Sequence, residues 1–212
     1  VSTESADGSS RPPGVDWRRA EFVLTLLAFL GFVTLLVRVT TVYSGLPAHP
    51  LFVHVPVILI PTTAVTAVIF MARPEWFRRY GIALALVSIA AMSSIFLAMQ
   101  AGGALRGELH LQGRAATLIS EHSQAANILA LVYVAFTAIL IITFAACRIS
   151  SGMPTGLGIV DRLLSSRSTF NLLRILLVVL ATGAGFMTFR TADLGAKAVW
   201  AGRVQAAQET GP

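Results

Sequence analysis

The sequence predicts an all-α integral membrane protein of five transmembrane helices, the last four forming a bundle. Three observations carry that expectation. Of 212 residues, 55% are hydrophobic and only 12% charged, against roughly 25% charged in an average soluble domain, and the mean hydropathy is +0.75. Five apolar runs each approach the ~20 residues that a spanning helix needs. Arginines are in excess in alternate connections between those runs, the bias expected of cytoplasmic loops.

Residues 1–16 (VSTESADGSSRPPGVD) are polar and rich in Ser, Gly and Pro. They hold too little apolar surface to offset ordering entropy, so a disordered cytoplasmic tail is expected. Trp17, Arg18 and Arg19 mark a headgroup-level anchor. The apolar runs are placed at Phe22–Tyr43, Pro50–Met71, Gly81–Ala101, Gln124–Ala146 and Thr169–Phe189. The first exceeds the 7–15 residues of a signal-peptide core and no small-residue cleavage pattern follows, so it is read as an uncleaved helix. Between the second and third runs lies a short positive loop, Arg73 to Arg79, anchored by Trp76. Residues 102–123 form a longer loop with His110 and His122, and residues 148–168 a Ser/Gly-rich one with a short interfacial helix at Ile159–Leu164. The chain thus divides into a tail (1–16), an added transmembrane helix (17–46), a four-helix membrane unit (47–203) and a flexible end (204–212).

Orientation follows from Lys and Arg near the helix ends. With the N-terminus inside, the inner regions hold Arg11, Arg18, Arg19, Arg73, Arg78, Arg79, Arg148, Arg162, Arg167 and Arg174, while the outer ones hold Arg38, Arg106, Arg114, Arg190, Lys197 and Arg203. This bias predicts a multi-pass cell-membrane protein, N-terminus cytoplasmic and C-terminus extracytoplasmic. The basic excess is that of membrane loops; no basic patch interleaved with aromatics points to nucleic acid. The lone Cys147 excludes an internal disulfide framework and cysteine-based metal centres. No G-x-S-x-G, H-E-x-x-H or phosphate-binding loop is present, and no charge lies mid-membrane, so neither an enzyme nor a transporter is indicated.

If the second, third and fourth runs each cross once, every histidine falls on one side. His49 and His54 open the second run, which carries Pro50, Pro56 and Pro61; His110 and His122 precede the fourth. Ionisable residues at membrane depth are costly and mark functional sites. Pro50 suits a first helical turn, whereas Pro56 and Pro61 release the carbonyls of Phe52 and Val57, which predicts a kinked, protein-buried outer half. Five residues correspond to about 140° of helix rotation, so His49 meets His54 at one mouth only if His49 folds back from outside the helix. Across the mouth, Ser120 or Ser123 is a candidate N-cap, and Ser123 and Asn127 share a face beside His122. Gly102 and Gly103 permit close approach, Ala181 and Gly185 form a small-xxx-small pair, and Asp193 and Lys197 at i, i+4 predict helix beyond the last span.

His49-Pro50 followed by Val53-His54-Val55-Pro56 resembles the HP-x-x-VH-x-P signature of a bacterial membrane family known only as domain of unknown function 2231. His122 with Asn127 agrees with a later helix start in that family. The stretch Gly195 to Gly202 is similar to its closing G-x-x-L-V-Y-x-x-G, with Ala198 and Trp200 where Leu and Tyr are usual. The resemblance covers about residues 47–203, leaves the first helix outside and gives His110 no counterpart. It implies a four-helix unit with a histidine-lined site, and no established activity.

Two readings stay open. In one, the outer leaflet holds a haem b or a copper or zinc ion serving electron transfer or metal handling, since imidazole suits all three metals. For haem, His54 and His122 are the axial pair, with Asn127 beside them and Arg190 or Lys197 for a propionate; for a bare ion, the ligands are His49, His54, His122 and Glu121 or Asp193. In the other, no cofactor binds and the protein is an accessory subunit of a larger membrane or redox complex.

Overall fold

The computed structural model describes residues 42–43, 45–108, 112–152 and 158–209. The expected helix Phe22–Tyr43 and His110 lie outside the described residues, apart from Val42 and Tyr43. Those two form β1 (Val42–Tyr43), which pairs antiparallel with β2 (Leu46–Pro47), Val42 opposite Pro47. Gly45 turns the chain at φ +80, a conformation that glycine adopts without penalty.

Helix α1 (Ala48–Ala72) follows directly. It starts two residues earlier than expected, so Pro50 is its third residue, still in the turn whose N–H groups lack intrahelical partners. Pro56 and Pro61 lie inside one continuous helix. Its N-terminal half is not enclosed by the other described helices as the prolines had suggested. Ala48, Pro56 and Ile60 are buried, but Leu51, His54, Val55, Val57 and Ile58 are exposed. Apolar side chains can face lipid at no cost, so proline alone does not force a protein neighbour onto every face.

A single residue, Arg73, joins α1 to α2 (Pro74–Glu108). Pro74 opens α2, where its missing N–H costs nothing, and the Arg73 carbonyl accepts from Trp76 and Phe77. Helices α3 (Gly113–Ser150) and α5 (Arg167–Glu209) complete the bundle, with the short α4 (Gly158–Leu164) between them. The expected 102–123 loop is mostly helix, because α2 runs on to Glu108 and α3 begins at Gly113. Ser123 is therefore an interior residue whose hydroxyl donates back to the Ile119 carbonyl at 2.9 Å, not an N-cap. The helix expected beyond the last span is present through Glu209.

In the bundle α1 packs on α2 and α5, and α3 packs on α2 and α5. The centre is filled by Ile60, Phe77, Tyr133, Phe136, Leu140 and Leu177, all fully buried. Ala181 and Ala184 are the small residues of α5 that are buried; a Cβ at Gly185 would meet nothing within 4 Å, so that half of the expected pair is not a contact. Large apolar side chains also cover the outside, Leu131 at 72% and Phe189 at 73% exposure among them. An apolar surface of that kind requires lipid or protein around it. All four long helices are apolar and long enough to cross a bilayer, and the protein is a multi-pass membrane protein. At 1.5 Å per residue, α5 with 43 residues reaches about 65 Å, twice the ~30 Å hydrocarbon core. Its last turns stand outside the membrane on the histidine side.

Candidate functional site

Two hairpins, α1–α2 and α3–α5, each begin and end at the same face of the bundle, and each contributes one histidine there. His49 lies in the first turn of α1. Its Nδ1–H donates to the Ala98 carbonyl of α2 at 2.9 Å. His122, nine residues into α3, donates Nδ1–H to the Thr191 carbonyl of α5 at 2.8 Å. A carbonyl can only accept, so each Nδ1 carries a proton, which leaves Nε2 as the ring nitrogen able to offer a lone pair.

The two seats are built alike. Ala98 stands four residues before Gly102, and Thr191 four before Gly195. A Cβ at Gly102 would come within 2.9 Å of the His49 ring, and one at Gly195 within 3.1 Å of the His122 ring. The missing side chain lets each imidazole lie against helix backbone and reach a carbonyl already inside a helix. Between the hairpins the rings meet edge to face, with centroids 6.1 Å apart and planes at 82°. In Thr191, whose carbonyl accepts from His122, the hydroxyl is buried and has no hydrogen-bond partner among the described residues.

The structure therefore joins His49 to His122, while His54 points elsewhere. The expected meeting of His49 and His54 at one mouth required His49 to sit outside the helix. His49 is itself helical, so the rotation between positions 49 and 54 holds and turns His54 to the exposed surface. Glu121, Asn127, Arg190 and Lys197 are also exposed. Asp193 is half-buried and binds Lys197 at 2.6 Å, one turn of α5 past Arg190. Among the described residues no three of His, Cys, Asp and Glu come together as a metal cage. Sequence reading did not identify the two glycine seats, although both glycines had been noted, Gly102 for close approach and Gly195 as the start of the closing motif.

A family model described as predicted membrane protein (DUF2231) matches residues 45–208. The chain belongs to this family. Both histidine seats and all four spans lie inside the matched region, so the paired imidazoles are part of the DUF2231 unit, and the expected extra helix precedes it. No curated protein matches the chain, and no solved structure does.

Proposed function

We propose that this DUF2231 protein is a membrane subunit whose outer end carries a two-imidazole site, His49 with His122, for haem b or a single metal ion, serving electron transfer or metal handling. One observation supports it above others: both rings are fixed through Nδ1–H on backbone carbonyls, leaving two Nε2 lone pairs on neighbouring rings. Metal-binding histidines typically donate the other ring N–H in this way, which sets tautomer and orientation. An imidazole nitrogen sits about 2.0 Å from its metal. The two ring centroids here lie 6.1 Å apart with their planes at 82°.

Haem fits the donor count better than a bare ion. A porphyrin supplies four ligands and leaves two axial positions, whereas a structural zinc usually takes four ligands from protein, and no third donor joins this pair among the described residues. His54, Asn127, Glu121 and the Arg190–Lys197 stretch recede from the first contact shell in this reading. The test is the absorption spectrum and metal content of the purified protein. A Soret band lost in His49→Ala and in His122→Ala, but kept in His54→Ala, supports haem; copper or zinc with the same dependence supports an ion. Neither pigment nor metal ends the reading.

A second reading has its own support. The same two hydrogen bonds and glycine seats tie α1 to α2 and α3 to α5. Without a cofactor, the pair is a polar lock that holds the outer end of an accessory subunit.

A further inference from the structure

We propose a second binding site at the opposite end of the bundle, a cleft for the zwitterionic phosphoethanolamine headgroup of a phospholipid. This inference is independent of the histidine reading. The α1–α2 corner carries an open cleft of about 500 Å³ lined by Phe70, Glu75, Trp76, Arg79 and Tyr80. Phe70 stands between the other rings, its centroid 6.2 Å from Trp76 and 6.2 Å from Tyr80. Guanidinium groups cover the two outer rings, Arg73 over Trp76 at 5.4 Å and Arg79 over Tyr80 at 5.3 Å.

The charges decide the ligand. Glu75 and Arg79 are four residues apart on α2 in the order that favours pairing, and Asp193 and Lys197 at the same spacing close to 2.6 Å. Glu75 and Arg79 form no ion pair, because Arg79 is turned onto Tyr80. A carboxylate and a guanidinium thus share one aromatic cleft with neither neutralising the other. The ligand that satisfies both carries an anion and a cation on one short linker. The corner lies between two spans and holds an interfacial tryptophan, which puts it at headgroup level. A phosphate oxygen accepts from Arg79 in a charge-assisted hydrogen bond, and an ammonium donates to Glu75. Primary ammonium is favoured over quaternary, since the Trp76 and Tyr80 faces that would cage a quaternary ammonium are already taken by Arg73 and Arg79.

Native mass spectrometry of the delipidated full chain tests this, using phosphatidylethanolamine, phosphatidylglycerol and phosphatidylcholine with identical acyl chains. Glu75 and Arg79 are exposed, so Glu75→Gln and Arg79→Gln leave the bundle intact. The expected result is phosphatidylethanolamine retained about tenfold more tightly than the other two, the scale of one charge-assisted hydrogen bond. Glu75→Gln should abolish that preference, and Arg79→Gln should weaken all three lipids by a similar factor. Soluble phosphoethanolamine should compete with the lipid, which would make the headgroup itself the recognised part. Equal retention of the three lipids, or a preference unchanged in Glu75→Gln, overturns the site and leaves an ordinary aromatic belt. Competition by inorganic phosphate as effective as by phosphoethanolamine overturns the zwitterion and leaves a simple anion site.

Discussion

At position 102 a single methyl group would occupy the space that the His49 ring fills. The nearest ring atoms, Cε1 and Nδ1, would lie 2.9 Å from the new Cβ, so the imidazole must swing away and release the Ala98 carbonyl. At position 195 the corresponding distances are 3.1 and 3.2 Å, and a shift of a few tenths of an ångström suffices. Overpacking of this kind costs about 1–3 kcal/mol, against a helix-propensity gain of about 1 kcal/mol for Gly→Ala. Gly102→Ala is therefore expected to destabilise by about 1–2 kcal/mol and Gly195→Ala to be near neutral, as read from unfolding in mixed detergent. Ligand binding, if the histidines hold one, should fall in the same order. That His49 and His122 lie at one end of the bundle was legible in the sequence, because counting spans alone puts them there. Which of His49 and His54 turns inward was not. The helices are apolar nearly all round, so hydrophobic patterning fixes no rotational phase, and the phase came only with the packing of α1 on α2.

Between helices, the bundle is held by two devices of different kinds. One is a buried chain of hydroxyls: Tyr133 of α3 meets Thr63 of α1 at 2.7 Å and accepts from Ser88 of α2 at 3.3 Å, while Ser88 reaches Thr137 at 2.8 Å. Such bonds across membrane helices are worth about 0.6–2 kcal/mol. Thr63 also donates to carbonyls of its own helix at 2.8 and 2.9 Å, so the loss of Tyr133 does not orphan it. Tyr133→Phe is expected to cost about 1 kcal/mol, and Tyr133→Phe with Thr63→Val less than the sum of the two singles, since they remove one shared bond. The other device is close contact. A Cβ at Gly81 would fall 2.5 Å from the Phe144 ring, which itself meets Phe77 edge to face at 6.2 Å. Gly81→Ala should cost about 2–3 kcal/mol, more than Gly102→Ala, because Phe144 is buried in the core and has no room to swing. Neither device could be read from sequence. Serine, threonine and glycine are common in membrane helices, and their pairing depends on the same rotational phase that the apolar pattern leaves open.

At the scale of the whole molecule, the four spans among the described residues have a strict consequence. The start of α1 and the end of α5 lie on one side of the membrane, together with His49 and His122, while the Arg73–Trp76 corner and the Arg174 side chain that donates to the Met71 carbonyl at 3.1 Å lie on the other. The number of spans in this unit was legible because the bilayer sets helix length, whereas the extra turns at the ends were not, because their polar residues read as loop. From the arginine distribution we propose that the histidine face is the outer one. Cysteine accessibility in intact cells tests it on a background where the buried Cys147 is replaced by serine. Ala196→Cys and Arg78→Cys, both at exposed positions, should react with a membrane-impermeant maleimide in the first case and only after permeabilisation in the second. Ser9→Cys then decides the added helix. If residues 22–43 cross the membrane, Ser9 must lie opposite Ala196 and stay protected until the cells are opened. Labelling of Ser9→Cys and Ala196→Cys together from outside would leave four spans and turn that segment into one that lies on the membrane or against the bundle. Reversed labelling of Ala196→Cys and Arg78→Cys would move the histidine pair to the cytoplasmic face, with the lipid cleft in the outer leaflet.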